Sequence, residues 1–211
     1  MEITPKLKDN RSHLKSRVLD YAKETFTVYG IKDVTMDSIA SELSVSKRTL
    51  YELFGDKEGL LLEVVKIHYK ESREFIDQLI HKSDNVLDVI FKIYERNVEE
   101  IKKANKVFFE EINKYPSVIK YLQSTRNEMA SVTMSYFRKG ISQGLFRDDV
   151  NYEIIRTAMV EEMKILLKSE LNEKYSLVDI YEQLVSLHMR GIATEKGLKK
   201  VDEFFLTMKF K

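Results

Sequence analysis

The stretch Val34–Phe54, VTMDSIASELSVSKRTLYELF, permits few local folds other than two short helices crossed at a tight turn. Thr35 is placed to cap the first helix, and Asp37 lies favourably in its positive first turn. Ile39, Ala40 and Leu43 give that helix one apolar face, with Ala40 small enough for a close crossing. Ser44-Val45 makes the turn, with Val45 directed inward, and Ser46 caps the second helix. Lys47, Arg48 and Thr49 open that helix on its exposed side, while Leu50 and Phe54, four residues apart, pin it from behind. A helix supported on one face, with donors at its N-terminal end, suits the DNA major groove.

The rest of the chain reads as helix too. Only 7 Gly and 2 Pro interrupt 211 residues, and no alternating apolar pattern marks a strand. The predicted fold class is therefore all-α. Leu14, Val18, Ala22, Phe26 and Tyr29 recur at helical spacing and end at Gly30. Asp56 caps a helix running through Leu60, Leu61, Val64 and Val65 to about Leu79. With no Gly/Ser-rich linker, the domain boundary is expected within that helix, separating a three-helix unit over 8–56 from a helical domain over 57–211. Further helices are expected over Val86–Ile101 and Val107–Ile112, and from Pro116 to Gly140. After a break at Gly140–Arg147, helices follow over Asn151–Glu170, from Leu177 to near Gly191, and from Leu198 to Met208.

Charge is uninformative as a total. Residues 1–60 hold ten basic and ten acidic side chains, so the usual overall basicity of a nucleic-acid binder is missing. DNA binding must rest on local placement of Lys47, Arg48 and Lys57, with Lys6, Lys8 and Arg11 as further candidates. The absence of Cys excludes disulfides, thiolate catalysis and cysteine-held metals, and fits a reducing cytosol. His13, His68, His81 and His188 show no metal-ligand spacing; Glu110-Glu111 and Glu161-Glu162 read as solvated helix faces, not acid/base pairs. No phosphate-cradling glycine loop or Ser/His/Asp arrangement is present. The expectation is a protein with no catalytic residues, metal or cofactor, and not an enzyme. No apolar run approaches the ~20 residues of a membrane span, and the first residues lack an apolar signal segment. A soluble, cytoplasmic protein is expected.

From Leu14 to about Leu62 the order of signals resembles the N-terminal domain of the Tet repressor family of bacterial transcription regulators. The residues that carry the likeness are Phe26 and Gly30, Thr35 before Ile39-Ala40, Val45–Tyr51, Phe54 and Lys57-Glu58. Gly140-Ile141 through Gly144–Arg147 and Asp149–Asn151 form a second, weaker match. The resemblance implies that Thr35, Tyr51 and Lys57 touch phosphates and that Lys47, Arg48 and Thr49, behind the cap Ser46, sit nearest base edges. Arg or Lys suits guanine O6 and N7, Thr a thymine methyl, and a Tyr hydroxyl a phosphate. Three departures stand out. Ser44 replaces the usual turn Gly and implies a costly backbone angle; Leu53 replaces an aromatic or His; Glu52 either accepts from a cytosine amine or faces solvent.

The resemblance further implies a homodimer built on the last two long helices, and a C-terminal domain that binds a ligand. The Met and aromatic side chains there are mostly core, with Phe91, Tyr94, Phe108, Tyr121, Met129, Phe137, Met159 and Met163 as candidate pocket residues. The reading is a homodimeric regulator, a repressor released from a pseudo-palindromic double-stranded operator by a small apolar or aromatic effector. The alternative is a DNA-binding adaptor controlled by a protein partner, with no small-molecule effector.

Overall fold

In the computed structural model, which describes residues 5–166 and 169–208, every regular element is a helix, joined by one isolated antiparallel bridge between Phe146 and Ala193. The order is α1 (Pro5–Tyr29), α2 (Met36–Glu42), α3 (Lys47–Phe54), α4 (Lys57–Lys82), α5 (Val86–Lys103) and α6 (Lys106–Glu111). A 3-10 turn over Ile112–Lys114 follows, then α7 (Pro116–Ser142), α8 (Tyr152–Leu166), α9 (Leu171–Lys174), α10 (Leu177–Ile192) and α11 (Glu195–Met208). The all-α expectation holds. The one-turn α9 was not expected, because four residues are too few to show a period. Of the helix expected over Asn151–Glu170, residues 167 and 168 lie outside the described residues, as do the side chains of Lys6 and Lys8.

The chain divides into two compact units. One takes the residues up to Ser72 together with Lys103–Ser124; the other takes Arg73–Lys102 and the chain from Thr125 onward. The first cut falls inside α4, which is continuous through it.

In the first unit, α1 supplies Val18, Ala22 and Phe26 to a core closed by Ile31, Ile39, Leu50, Leu60, Leu61 and Val118, all fully buried. Gly30 ends α1 at φ +85°, and its N–H still donates to Phe26 O at 3.1 Å. A Cβ there would lie 3.0 Å from Val107 Cγ1, so glycine serves both the left-handed turn and the close approach of α6. Hydrogen bonds fasten the later segment to the earlier one. Asn105 N–H donates to Thr27 O at 2.8 Å, Lys32 N–H to Glu111 Oε2 at 2.7 Å, and Ser117 N–H to Glu58 Oε1 at 2.7 Å. Glu111 is therefore no solvated face: it is only 6% exposed, and its carboxylate satisfies a backbone donor of the α1–α2 turn.

The second unit packs aromatics from three helices. Tyr94 stacks on Tyr181 with centroids 5.6 Å apart and meets Phe205 edge-on at 5.3 Å, and Phe91 stacks on Phe204 at 4.1 Å. Gly140 lets the chain reverse, since a Cβ there would fall 2.1 Å from the Phe146 ring. Gln143 holds the start of α5, accepting from Val86 N–H at 3.0 Å and donating to Asp84 O at 3.0 Å. Thr194 N–H donates to Leu145 O at 3.0 Å and Arg147 N–H to Ile192 O at 2.8 Å, binding the reversal to the α10–α11 connection.

Candidate nucleic-acid interface and cavity

The exposed face begins with two caps. Thr35 Oγ1 accepts from Ser38 N–H at 3.0 Å while Ser38 Oγ accepts from Thr35 N–H at 3.0 Å, a reciprocal capping box. Ser46 Oγ accepts from Thr49 N–H at 3.0 Å and lies 2.7 Å from Thr49 Oγ1. Between them Ser44 takes φ +53°, the strained angle expected where the Tet repressor family has glycine. Val45 N–H closes the turn on Ala40 O at 2.9 Å. Leu50 and Phe54 are buried beneath α3, as their four-residue spacing predicts.

On that support stand Lys47, Arg48 and Tyr51, all exposed, with Thr49 half-buried. Both cations are paired. Lys47 Nζ donates to Asp37 Oδ2 of α2 at 2.6 Å, and Arg48 Nε to Glu52 Oε1 one turn along α3 at 2.8 Å. The bond from Glu52 raises Arg48 above the ordinary guanidinium range. Asp37, Lys47, Arg48 and Glu52 together carry no net charge.

Lys57, for which the resemblance implies a phosphate contact, is held by the chain itself in this structure. Its Nζ donates to Ile31 O at 2.9 Å, Lys32 O at 3.1 Å and Val34 O at 3.0 Å. An ammonium has three protons, and all are committed to the α1–α2 turn. Burial lowers its pKa from the usual lysine value, opposed by the carboxylates of Glu111 and Asp33. Asp56 caps α4 as expected, accepting from Gly59 N–H at 2.7 Å.

The second unit contains a cavity of about 180 Å³. Ile76 and Ile80 of α4, Val89, Ile90 and Ile93 of α5, Met129, Val132, Thr133, Tyr136 and Phe137 of α7, and Phe146 line it. Among the described residues no charged side chain does. Of the eight candidate pocket residues, Met129 and Phe137 are on this wall. Phe91 and Tyr94 pack into the aromatic cluster instead, and Met159 and Met163 are half-buried on α8 outside the lining. Phe108 and Tyr121 belong to the first unit, because α6 and the start of α7 are hydrogen-bonded there; Phe108 meets Phe109, and Tyr121 meets Tyr69 edge-on. The aliphatic lining was missed. Ile76 and Ile80 on one helix, and Val89, Ile90 and Ile93 on the next, show helical spacing, but core residues show the same spacing.

A short helix held on a buried core behind a tight turn, with capped donors at its exposed start, defines a helix-turn-helix DNA-binding unit. Residues 18–64 match the family described as bacterial regulatory proteins, tetR family. The HTH-type transcriptional regulator YhgD of Bacillus subtilis is 30% identical over 136 residues, covering 62% of this chain and 69% of that protein. The HTH-type transcriptional repressor KstR2 of Mycolicibacterium smegmatis is 21% identical over 198 residues, covering 88% of this chain and 93% of the repressor. A transcriptional regulator from Saccharomonospora viridis, solved in complex with choline, superposes with a TM-score of 0.68 over 87% of this chain and all of that one, at 20% identity. The chain belongs to the TetR family of bacterial regulators: it is a DNA-binding transcription regulator and not an enzyme. Among the described residues, no helix is long and apolar enough to cross a membrane.

Proposed function

We propose that the protein is a homodimeric, cytoplasmic repressor that releases a pseudo-palindromic operator when a compact, neutral, apolar ligand enters the cavity of the second unit. Thr35, Ser46, Lys47, Arg48, Thr49 and Tyr51 form the DNA face, and Lys57 holds the turn on which Thr35 stands. Repression is carried over from the KstR2 relative, which is named a repressor.

The observation that carries the ligand reading is the composition of the cavity wall: among the described residues eleven side chains, none charged, surround about 180 Å³. An apolar cavity of about 150 Å³ is enough for benzene, and a charged ligand would be left unpaired against such a wall. The dimer reading is supported by Ile154 and Ile165 of α8 and Leu187 of α10, large apolar side chains left mostly exposed. A two-fold pair would set two α3 helices about one DNA turn apart, roughly 34–36 Å.

The test is to select duplexes from a randomised pool with the whole protein and to measure its mass by sedimentation. A dimer that enriches a two-fold symmetric sequence supports the reading. A monomer at micromolar concentration, or an enriched sequence without symmetry, contradicts it.

A further inference from the structure

We infer that Glu52 is a positioning residue for Arg48, one that turns this arginine from a general phosphate binder into a reader of a single base pair. The inference rests on the DNA-binding face proposed above. Glu52 lies outside that face as the sequence resemblance drew it.

Geometry carries the argument. Arg48 is exposed, with 89% of its side chain open, and would ordinarily sample many rotamers. Its Nε instead donates to Glu52 Oε1 at 2.8 Å, from one helical turn further along. That bond uses the inner nitrogen. Among the described residues no hydrogen-bond partner occupies either terminal nitrogen, and the terminal pair is what engages guanine O6 and N7 in the major groove. The carboxylate thus fixes the stem of the fork and leaves its prongs free. Part of the ordering that DNA would otherwise impose is complete before DNA arrives.

Charge adds a second effect. A carboxylate beside Arg48, and Asp37 beside Lys47, cancel both cations at the exposed start of α3. Attraction to phosphates of arbitrary sequence is weakened, because that attraction depends on uncompensated cations displacing counterions. A base pair that satisfies the free prongs of Arg48 then supplies what the phosphates do not. Glu52 therefore raises the ratio of specific to random binding from both sides.

Two variants separate the effects. In Glu52→Gln the amide oxygen still accepts from Nε, but the charge is gone. In Glu52→Ala both are gone. The probes are the duplex enriched by the unmodified protein, its single-base-pair variants, and a random duplex, each measured over a range of salt. For Glu52→Ala we expect about a tenfold loss of discrimination at one base pair in each half-site. Random-duplex affinity should rise about threefold or more in both variants, with a steeper salt dependence. Glu52→Gln should keep its discrimination within about twofold, since its fork is still held. The unfolding midpoint should stay within about a degree, as an exposed ion pair of this spacing contributes little.

Unchanged discrimination in Glu52→Ala would overturn the inference while leaving the DNA-binding reading intact. So would an equal loss on every duplex together with a lowered unfolding midpoint, the signature of a purely structural residue. If the unmodified protein enriches no sequence at all, the reading fails and this inference falls with it.

Discussion

The two units build their working features from opposite materials. The helix-turn-helix unit has a core of buried side chains and places its chemistry on the outside, as charges and hydroxyls held by near neighbours. Thr35 and Ser38 cap each other, Ser46 meets Thr49, and Arg48 meets Glu52, all within four residues along the chain. The second unit has a hollow, and its wall is drawn from residues between Ile76 and Phe146 on three helices and a reversal. Preorganised polar groups can read a surface; an unfilled apolar space can accept a molecule. One chain holding both has the two parts a ligand-controlled regulator needs.

Disturbing the buried core should have the largest effect. Leu50 is fully buried behind the exposed start of α3. Leu50→Ala should cost about 2–5 kcal/mol in denaturant unfolding and abolish operator binding. If operator affinity survived, the support would not be what presents α3.

Next comes Lys57. Lys57→Met keeps much of the stem but strands three carbonyls, and should cost about 1–3 kcal/mol. Operator affinity should fall only as far as Thr35 is displaced, with the salt slope unchanged. A slope flatter by about one, at unchanged stability, would instead make Lys57 a phosphate contact.

Filling the hollow should do the reverse. Val132→Phe should raise stability by about 0.5–1 kcal/mol and eliminate binding of benzene-sized probes, with operator affinity unaltered when no ligand is present. Retained probe binding would place the ligand elsewhere.

The smallest effect is an acid one. Bonds from Lys15 and then Lys66 lower the Glu63 pKa below the usual carboxylate value. A lowered carboxylate contributes stability above its unfolded pKa and loses it as pH falls through the folded one. Glu63→Gln should therefore flatten the stability curve in acid, by less than about 1 kcal/mol given its partial exposure. An unchanged acid limb would show that the α1–α4 pair contributes nothing.

The same contrast explains what was legible beforehand. Caps at Thr35, Ser46 and Asp56, the glycine stop at Gly30 and the strained Ser44 all depend on neighbours within a few residues, so the sequence displays them directly. The burial of Glu111 does not, because its partner Lys32 is 79 residues away. Nor does the triple commitment of Lys57, whose carbonyls lie on a turn more than twenty residues earlier. The cavity is harder still. Ile80 on its wall and Leu61 in the first core sit on one helix with the same apolar chemistry, and only packing tells a lining residue from a filled one. Aromatic and Met content pointed to the second unit but picked only Met129 and Phe137 of its wall.

The proposed function requires that the cavity and the DNA face be coupled, and α4 runs without a break from the first unit into the second. A ligand releases DNA only if it binds the DNA-incompetent state more tightly, and the coupling must be reciprocal. The decisive measurement is calorimetric: the affinity of a small apolar compound that stabilises the protein, taken with and without saturating selected operator. Operator should weaken binding of the compound by about 5–150-fold, and the compound should weaken operator binding by the same factor. Equal affinity with and without operator would contradict it, leaving a filled pocket that controls nothing.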